Sequence, residues 1–371
     1  MRETPVADRM RAARLHEPGQ PFRIDRIDRP QPRPQDALIQ VKACGIIPNM
    51  NAIVSGKLWH HLPPLPAVMG LDAAGIVVKA PDGRSPVAVG DRVYVNPFLA
   101  CGVCHYCRNG TPLLCADAAL RGYFGFTPKG AKLLEDYPYG GLCELITAAP
   151  DSLVTLPDKI TFEQGARFGY LCTSFAALRR GSVGAGSWIA INGITGTLGV
   201  GAVMLALAMG GSRILGWGRN RRVLDRLSRL SPRVETLALG DQPIAAWVRE
   251  RTEGVGVDVL LDCTGRGGPA APMLEALNAV KRGGITVNIG ALAETLPIHP
   301  TQFMTSAMRY SGSNWFTKAE AALVAEMVQT GVLDLTPWEA RVYPLDGVNQ
   351  ALAGIKDRPG GFVNMVVAPD R

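Results

Sequence analysis

The short apolar segment Trp188–Asn192 runs into Gly193-Ile194-Thr195-Gly196-Thr197-Leu198-Gly199, and this turn opens an apolar stretch, Leu198–Met209, rich in Ala, Leu and Met. A strand that turns on glycines straight into a helix must lay that helix back over the strand it left. The alternation continues. Strand-like segments Arg213–Trp217, Val257–Asp262 and Ile285–Ile289 are interleaved with helix-like segments Arg221–Leu230 and Ala270–Val280. Strands alternating with helices predict an α/β, doubly wound parallel sheet covered on both faces.

The first third of the chain reads differently. Short strands are predicted at Ala37–Lys42, Ala74–Lys79 and Arg92–Val95, separated by proline clusters such as Arg29–Pro34 and Pro63–Pro66. Such punctuation suits an irregular, barrel-like domain. After a predicted helix at Lys318–Gln329 the chain ends in short strands, the last at Phe362–Val367. A length of 371 residues, 47% of them hydrophobic and 19% charged, supplies two cores and excludes wholesale disorder. The expected division is a first domain over residues 1–165, the parallel-sheet domain over 166–315, and a return to the first domain over 316–371.

The turn at Gly193–Gly199 also carries chemistry. Glycines three apart allow a tight bend, close approach of backbone to a pyrophosphate, and close helix–strand packing. The helix that follows offers unpaired N–H groups to phosphate oxygens. Gly193, Thr195, Gly196, Thr197 and Leu198 are therefore expected to hold a dinucleotide, with Thr264 and Gly290 added from the ends of later strands. A chain selective for NAD places Asp or Glu about twenty residues on, at the ribose. Here the second strand ends in Gly218, and Arg219, Arg221 and Arg222 follow. Losing the acid while gaining guanidinium groups predicts NADP, whose 2′-phosphate Arg219 and Arg221 would bind. The bland alternative is a solvated helix face, because arginines recur at 226, 229 and 233.

Four of the eight cysteines crowd together as Cys101-x2-Cys104-x2-Cys107-x7-Cys115. Four thiolates at turn-compatible spacing close a tetrahedron around Zn²⁺ and leave no position for substrate, so the predicted ion is structural. The spacing is not that of a ferredoxin cluster. The net charge of +7 permits any anionic partner, but arginines beside a phosphorylated cofactor account for it without nucleic acid. The charged start Met1–Arg14 lacks the apolar run of a signal peptide, and Gly199–Gly210 is too short to span a bilayer. A cytoplasmic protein with no membrane association is the expectation.

Taken together, these features resemble a medium-chain dehydrogenase/reductase of the zinc alcohol dehydrogenase type. Val41–Ile46 is similar to the first motif of the family's catalytic domain, and Gly70–Gly75 resembles its Gly-His-Glu motif. Gly90–Val93 leads into the cysteine lobe, and Gly140–Glu144 resembles the return to the core. The resemblance implies a GroES-like β-barrel domain, a Rossmann domain, an active site in the cleft between them, and a homodimer. It also exposes departures. Where the family has its catalytic zinc ligands this chain has Ile47, Leu71 and, by alignment, Gly169, with Cys172 displaced. The residues of the proton relay align with Asn49 and Ala52, and the family glutamate with Asp72. Ile and Leu have no lone pairs to give a metal.

Without the Lewis acid, hydride transfer from NADPH needs an acceptor with its own electron sink: a C=C conjugated to a carbonyl, a quinone or an iminium. An apolar or aromatic small molecule is the expected substrate. Asp72, Asn49 and Tyr170 are the candidate catalytic residues, Asp72 as acid, as orienting group or as a structural carboxylate paired with an arginine. His61 is a weaker proton donor, and His60 and His61 are expected at the surface or at the cleft mouth. The aromatics of Tyr123–Tyr139 read either as a cover over the substrate or as a surface-packed loop. Two other functions stay open: an alcohol dehydrogenase or carbonyl reductase, and a cofactor-binding protein that has lost catalysis.

Overall fold

The computed structural model describes residues 8–57, 60–357 and 359–371. Its centre is a six-stranded sheet in the order Val234–Ala238, Arg213–Gly218, Trp188–Asn192, Val257–Asp262, Val280–Asn288, Arg309–Gly312. All five pairings are parallel. In chain order that is 3-2-1-4-5-6, the doubly wound arrangement, with a switch point between Trp188–Asn192 and Val257–Asp262. Connections leave those two neighbouring strands in opposite directions, so a crevice opens beyond their carboxyl ends.

The second body is built on a sheet containing Leu153–Thr155, Arg92–Val95, Asp72–Lys79, Ala37–Ile46, Val363–Ala368 and Glu339–Pro344 in that order, with Leu145–Ala148 also paired to Ala37–Ile46. Both carboxyl-terminal strands thus join the amino-terminal sheet, Val363–Ala368 lying antiparallel to Ala37–Ile46. Helix Phe168–Arg180 packs along the glycine-turn helix Thr197–Ala208 and joins the two bodies. Its apolar residues are buried along most of their length, and Phe168 is fully enclosed.

Several predicted elements differ at their ends. The strand expected at Ala37–Lys42 runs on to Ile46, and the strand expected from Ala74 begins at Asp72. Helix Ala270–Val280 shortens to Ala271–Leu277, and the strand after it starts at Val280. Edge strand Val234–Ala238 and amphipathic helix Ile244–Arg251 escape the sequence pattern because their apolar residues share them with Glu235, Thr236 and three charged residues. Among the described residues no helix is long and apolar enough to cross a membrane.

The stretch Tyr123–Tyr139 is not an open cover. Thr127 caps a helix, Pro128–Asp136, by accepting from the Gly130 N–H. Tyr123 and Phe124 are buried, and Tyr137 donates to Asp36 at 3.0 Å while Arg121 lies over its ring. These rings serve packing.

Candidate active site

A cleft of about 830 Å³ lies at the switch point, lined by the glycine turn on one side and by Ile47, Asp72, Arg167 and Tyr170 on the other. The turn has the form that a pyrophosphate requires. Gly193 takes φ +78°, in the left-handed region where glycine alone is unstrained. A Cβ on Gly199 would fall 2.5 Å from the Gly193 carbonyl oxygen, so any side chain there would push the helix off the turn. Gly196 caps helix Thr197–Ala208, and Gly193, Thr195, Gly196 and Thr197 all line the cleft. Leu198 does not; its carbonyl accepts from Ser174 at 3.0 Å. Thr264 lines the cleft, whereas Gly290 lies behind it, where a Cβ would meet the Thr264 carbonyl oxygen at 2.4 Å.

At the end of the second strand, a Cβ on Gly218 would lie 2.7 Å from Thr195 Cγ2 and Oγ1. Thr195 therefore fills the space from which a carboxylate would reach a ribose. Arg219, exposed, lines the cleft. Arg221 does not: it donates to both Asp241 oxygens, at 2.9 and 2.5 Å. The two arginines, near neighbours in the sequence, thus have different surroundings.

A polar network beneath the turn was not legible beforehand. Trp217 Nε1 donates to Asn192 Oδ1 at 2.6 Å, and Asn192 Nδ2 to Asp262 Oδ1 at 3.0 Å. The Thr264 N–H donates to the same oxygen at 3.0 Å. Burial raises the Asp262 carboxyl above its usual range. Its only sequence signal is that Asn192 and Asp262 each end an apolar strand, and parallel pairing places them side by side.

The wall opposite combines apolar Ile47 with an acid, Asp72, and a buried cation, Arg167. Ile47 and Leu71 are buried, and neither has a lone pair to offer. Asp72, 1% exposed, accepts from Tyr94 Oη at 2.9 Å and from the Gly169 N–H. A Cβ on Gly169 would fall 2.2 Å from Asp72 Oδ1. The carboxylate occupies the space that a side chain at 169 would need. Burial carries Asp72 up to about 7, against the opposing pull of its two hydrogen bonds and of Arg167. Burial likewise pushes the Tyr170 phenol up, so it is an O–H donor at neutral pH. Asn49 is exposed at the cleft, and its side chain makes no cap bond to the short helix it precedes.

Arg167 is a further site residue that the sequence pattern does not mark. It directly precedes an apolar helix, in no motif, and is 2% exposed, with its guanidinium 4.6 Å over the Trp338 ring. Gly45 explains the approach. It pairs with Asp72 across the sheet, and a Cβ there would strike the Ala166 carbonyl oxygen at 2.1 Å, so the bare glycine lets the helix start close on the strand. His60 does not line the cleft; its ring packs against Phe124 at a tilt of 39°, centroids 3.8 Å apart, and burial lowers its basicity.

Away from the cleft, the thiols of Cys101, Cys104, Cys107 and Cys115 all lie within 4.8 Å of one another. Cys104 and Cys107 are 3.5 Å apart, and Cys101 and Cys107 are 3.9 Å apart. A zinc tetrahedron with bonds of about 2.3 Å has edges of about 3.8 Å, so the donor set fits the ion. Among the described residues this is the one group of three or more His, Cys, Asp or Glu residues that converges in this way.

Residues 33–158 match the alcohol dehydrogenase GroES-like domain, and residues 197–330 match the zinc-binding dehydrogenase domain. The chain belongs to the medium-chain dehydrogenase/reductase superfamily. It is an oxidoreductase of the alcohol dehydrogenase-like branch of that superfamily. An alcohol dehydrogenase of Geobacillus stearothermophilus is 27% identical over 343 residues, covering 92% of this chain and 94% of that one. A sorbitol dehydrogenase of Bombyx mori is 28% identical, covering 89% and 91%. In three dimensions the chain is similar to a zinc-binding dehydrogenase of Sinorhizobium meliloti 1021 crystallised with NADP, with a TM-score of 0.82, 24% identity, and 97% and 99% of the two chains covered. This last likeness establishes the two-domain fold.

Proposed function

We propose that this medium-chain reductase uses NADPH to reduce an activated double bond of the enone, quinone or iminium type, without a catalytic metal, and carries a single structural zinc ion at its four cysteines. The catalytic side of the cleft carries the reading: Ile47, which lines it, and Leu71, buried next to Asp72 in the chain, are apolar, and the Asp72 carboxyl fills the space beside Gly169. NADPH bound along the glycine turn would supply the hydride. Thr195 and Thr197 would meet its phosphates at the helix N-terminus, and Arg219 its 2′-phosphate. The crystallised relative with NADP supports that choice of nucleotide.

The chain's own residues then have to stabilise negative charge and deliver one proton. A floor withdrawn from water strengthens any hydrogen bond aimed at a developing oxyanion. Tyr170 lines the cleft with a neutral hydroxyl, and Asn49 offers an amide N–H. Asp72, poised near neutrality, is the proton reservoir behind them. A small apolar or aromatic substrate, a cytoplasmic location and a homodimer formed across the open sheet edge at Arg309–Gly312 belong to the same reading.

The names of the curated relatives favour a second reading, an alcohol dehydrogenase or carbonyl reductase. NADPH oxidation against matched enones, quinones, imines, aldehydes and ketones, on protein of known zinc content, separates the two. Turnover of conjugated acceptors with one zinc per chain supports the proposal. Oxidation of simple alcohols that a chelator abolishes while the fold survives overturns it.

A further inference from the structure

The cleft contains a buried cation that the proposed reaction has not used. Arg167 is 2% exposed, lines the cleft beside Asp72 and Tyr170, and spends Nη2 on the Gly361 carbonyl. Its Nε and Nη1 have no hydrogen-bond partner among the described residues, and neither has Asp72 Oδ2. Arg167 and Asp72 therefore do not bond to each other, although each feels the other's charge. A guanidinium withdrawn from water with two of its three nitrogens unspent is costly unless something fills them.

Its position narrows what that is. Gly361 donates its N–H to the Thr195 carbonyl at 2.9 Å, and a Cβ on it would lie 2.2 Å from the Gly196 carbonyl oxygen. Arg167 thus stands at the joint between the glycine turn and the catalytic floor. Stacking on Trp338 and the bond to Gly361 hold the guanidinium plane, so its remaining face is preorganised. Nε and Nη1 present their hydrogens on different edges of the guanidinium, so an oxyanion would meet either one singly, through a charge-assisted bond.

We propose that Arg167 holds an oxyanion in the cleft, donating from one of its two unpartnered nitrogens, Nε or Nη1, and that this contact places the reacting group over Asp72 and Tyr170. The inference rests on the reductase reading. Two sources share the chemistry: a phosphate oxygen of the dinucleotide, and the carboxylate or enolate oxygen of the substrate.

Binding distinguishes the sources without needing turnover. NADPH is titrated into the wild type, Arg167→Met and Arg167→Lys by nucleotide fluorescence. But-2-enoate and its neutral counterpart but-2-enone are titrated into the same proteins saturated with NADP⁺. A phosphate contact predicts NADPH binding weakened about tenfold to a hundredfold in Arg167→Met and partly rescued in Arg167→Lys. A substrate contact predicts unchanged NADPH binding, a wild-type preference for but-2-enoate over but-2-enone, and loss of that preference in Arg167→Met. A folded Arg167→Met whose affinity for each of these ligands equals the wild type's overturns the proposal, whether or not the wild type reduces enones. If Arg167→Met does not fold, Asp72→Asn carries the test. Removing the neighbouring negative charge should tighten binding of whichever anion Arg167 holds, and no change would overturn the proposal.

Discussion

Replacing Asp72 by asparagine tests the electrostatics of the cleft floor most directly. The asparagine keeps an oxygen to accept from Tyr94 and the Gly169 N–H, so the hydrogen bonds and the volume survive while the charge is removed. Burial moves the carboxyl from 3.8 to about 7 in the folded chain. A raised folded value means that folding takes up a proton, so the wild type loses stability as pH rises from near 4 to near 7. Over that whole window the loss is about 4 kcal/mol, of which about 2–3 kcal/mol develops between pH 5 and pH 8. For a chain of 371 residues this corresponds to a midpoint shift of roughly 3 °C. The assay is a thermal melt of wild type and Asp72→Asn at pH 5 and pH 8 in matched ionic strength. The variant should gain on the wild type by that amount at the higher pH. A difference between the two proteins that does not change with pH would show that Asp72 is solvated and would remove it from the proton path.

The other predictions are simpler. Arg219→Ala should weaken NADPH binding about tenfold to a hundredfold and leave NADH binding nearly unchanged, since only the 2′-phosphate loses its charge-assisted partner; equal loss for both nucleotides in a titration would assign Arg219 to the solvated surface. Cys104→Ser should release zinc and lower the melting temperature, because a structural site contributes directly to folding; elemental analysis should find one zinc ion per wild-type chain, and two would contradict the reading of Ile47 and Leu71. Gly169→Ala should destabilise the chain by about 1–3 kcal/mol, because the added Cβ meets the Asp72 carboxyl at 2.2 Å; a urea midpoint equal to the wild type's would mean that this carboxyl moves freely.

How much of this site can be read from residues alone depends on how far apart in the chain its parts lie. The glycine turn and the four cysteines are contiguous, and their geometry follows from local dihedral freedom and short loop closures, so spacing was enough to locate a candidate nucleotide turn and a candidate metal lobe. The parallel sheet was legible for the same reason: the strand–helix alternation is a local pattern, and its topology follows from general rules of chain crossover. Only the tertiary structure decided the rest. Arg219 and Arg221 are two residues apart and chemically identical, yet one lines the cleft and the other is taken by Asp241, twenty residues further on. The aromatics of Tyr123–Tyr139 went to packing because a helix capped at Thr127 turned them inward. Asp72 and Arg167 are separated by most of the first domain and meet because Gly45 lets the Ala166 backbone close on the sheet. Their charges interact, and their protonation shifts, through the loss of water around both. Desolvation is a property of the packed interior, to which no local stretch of sequence gives access.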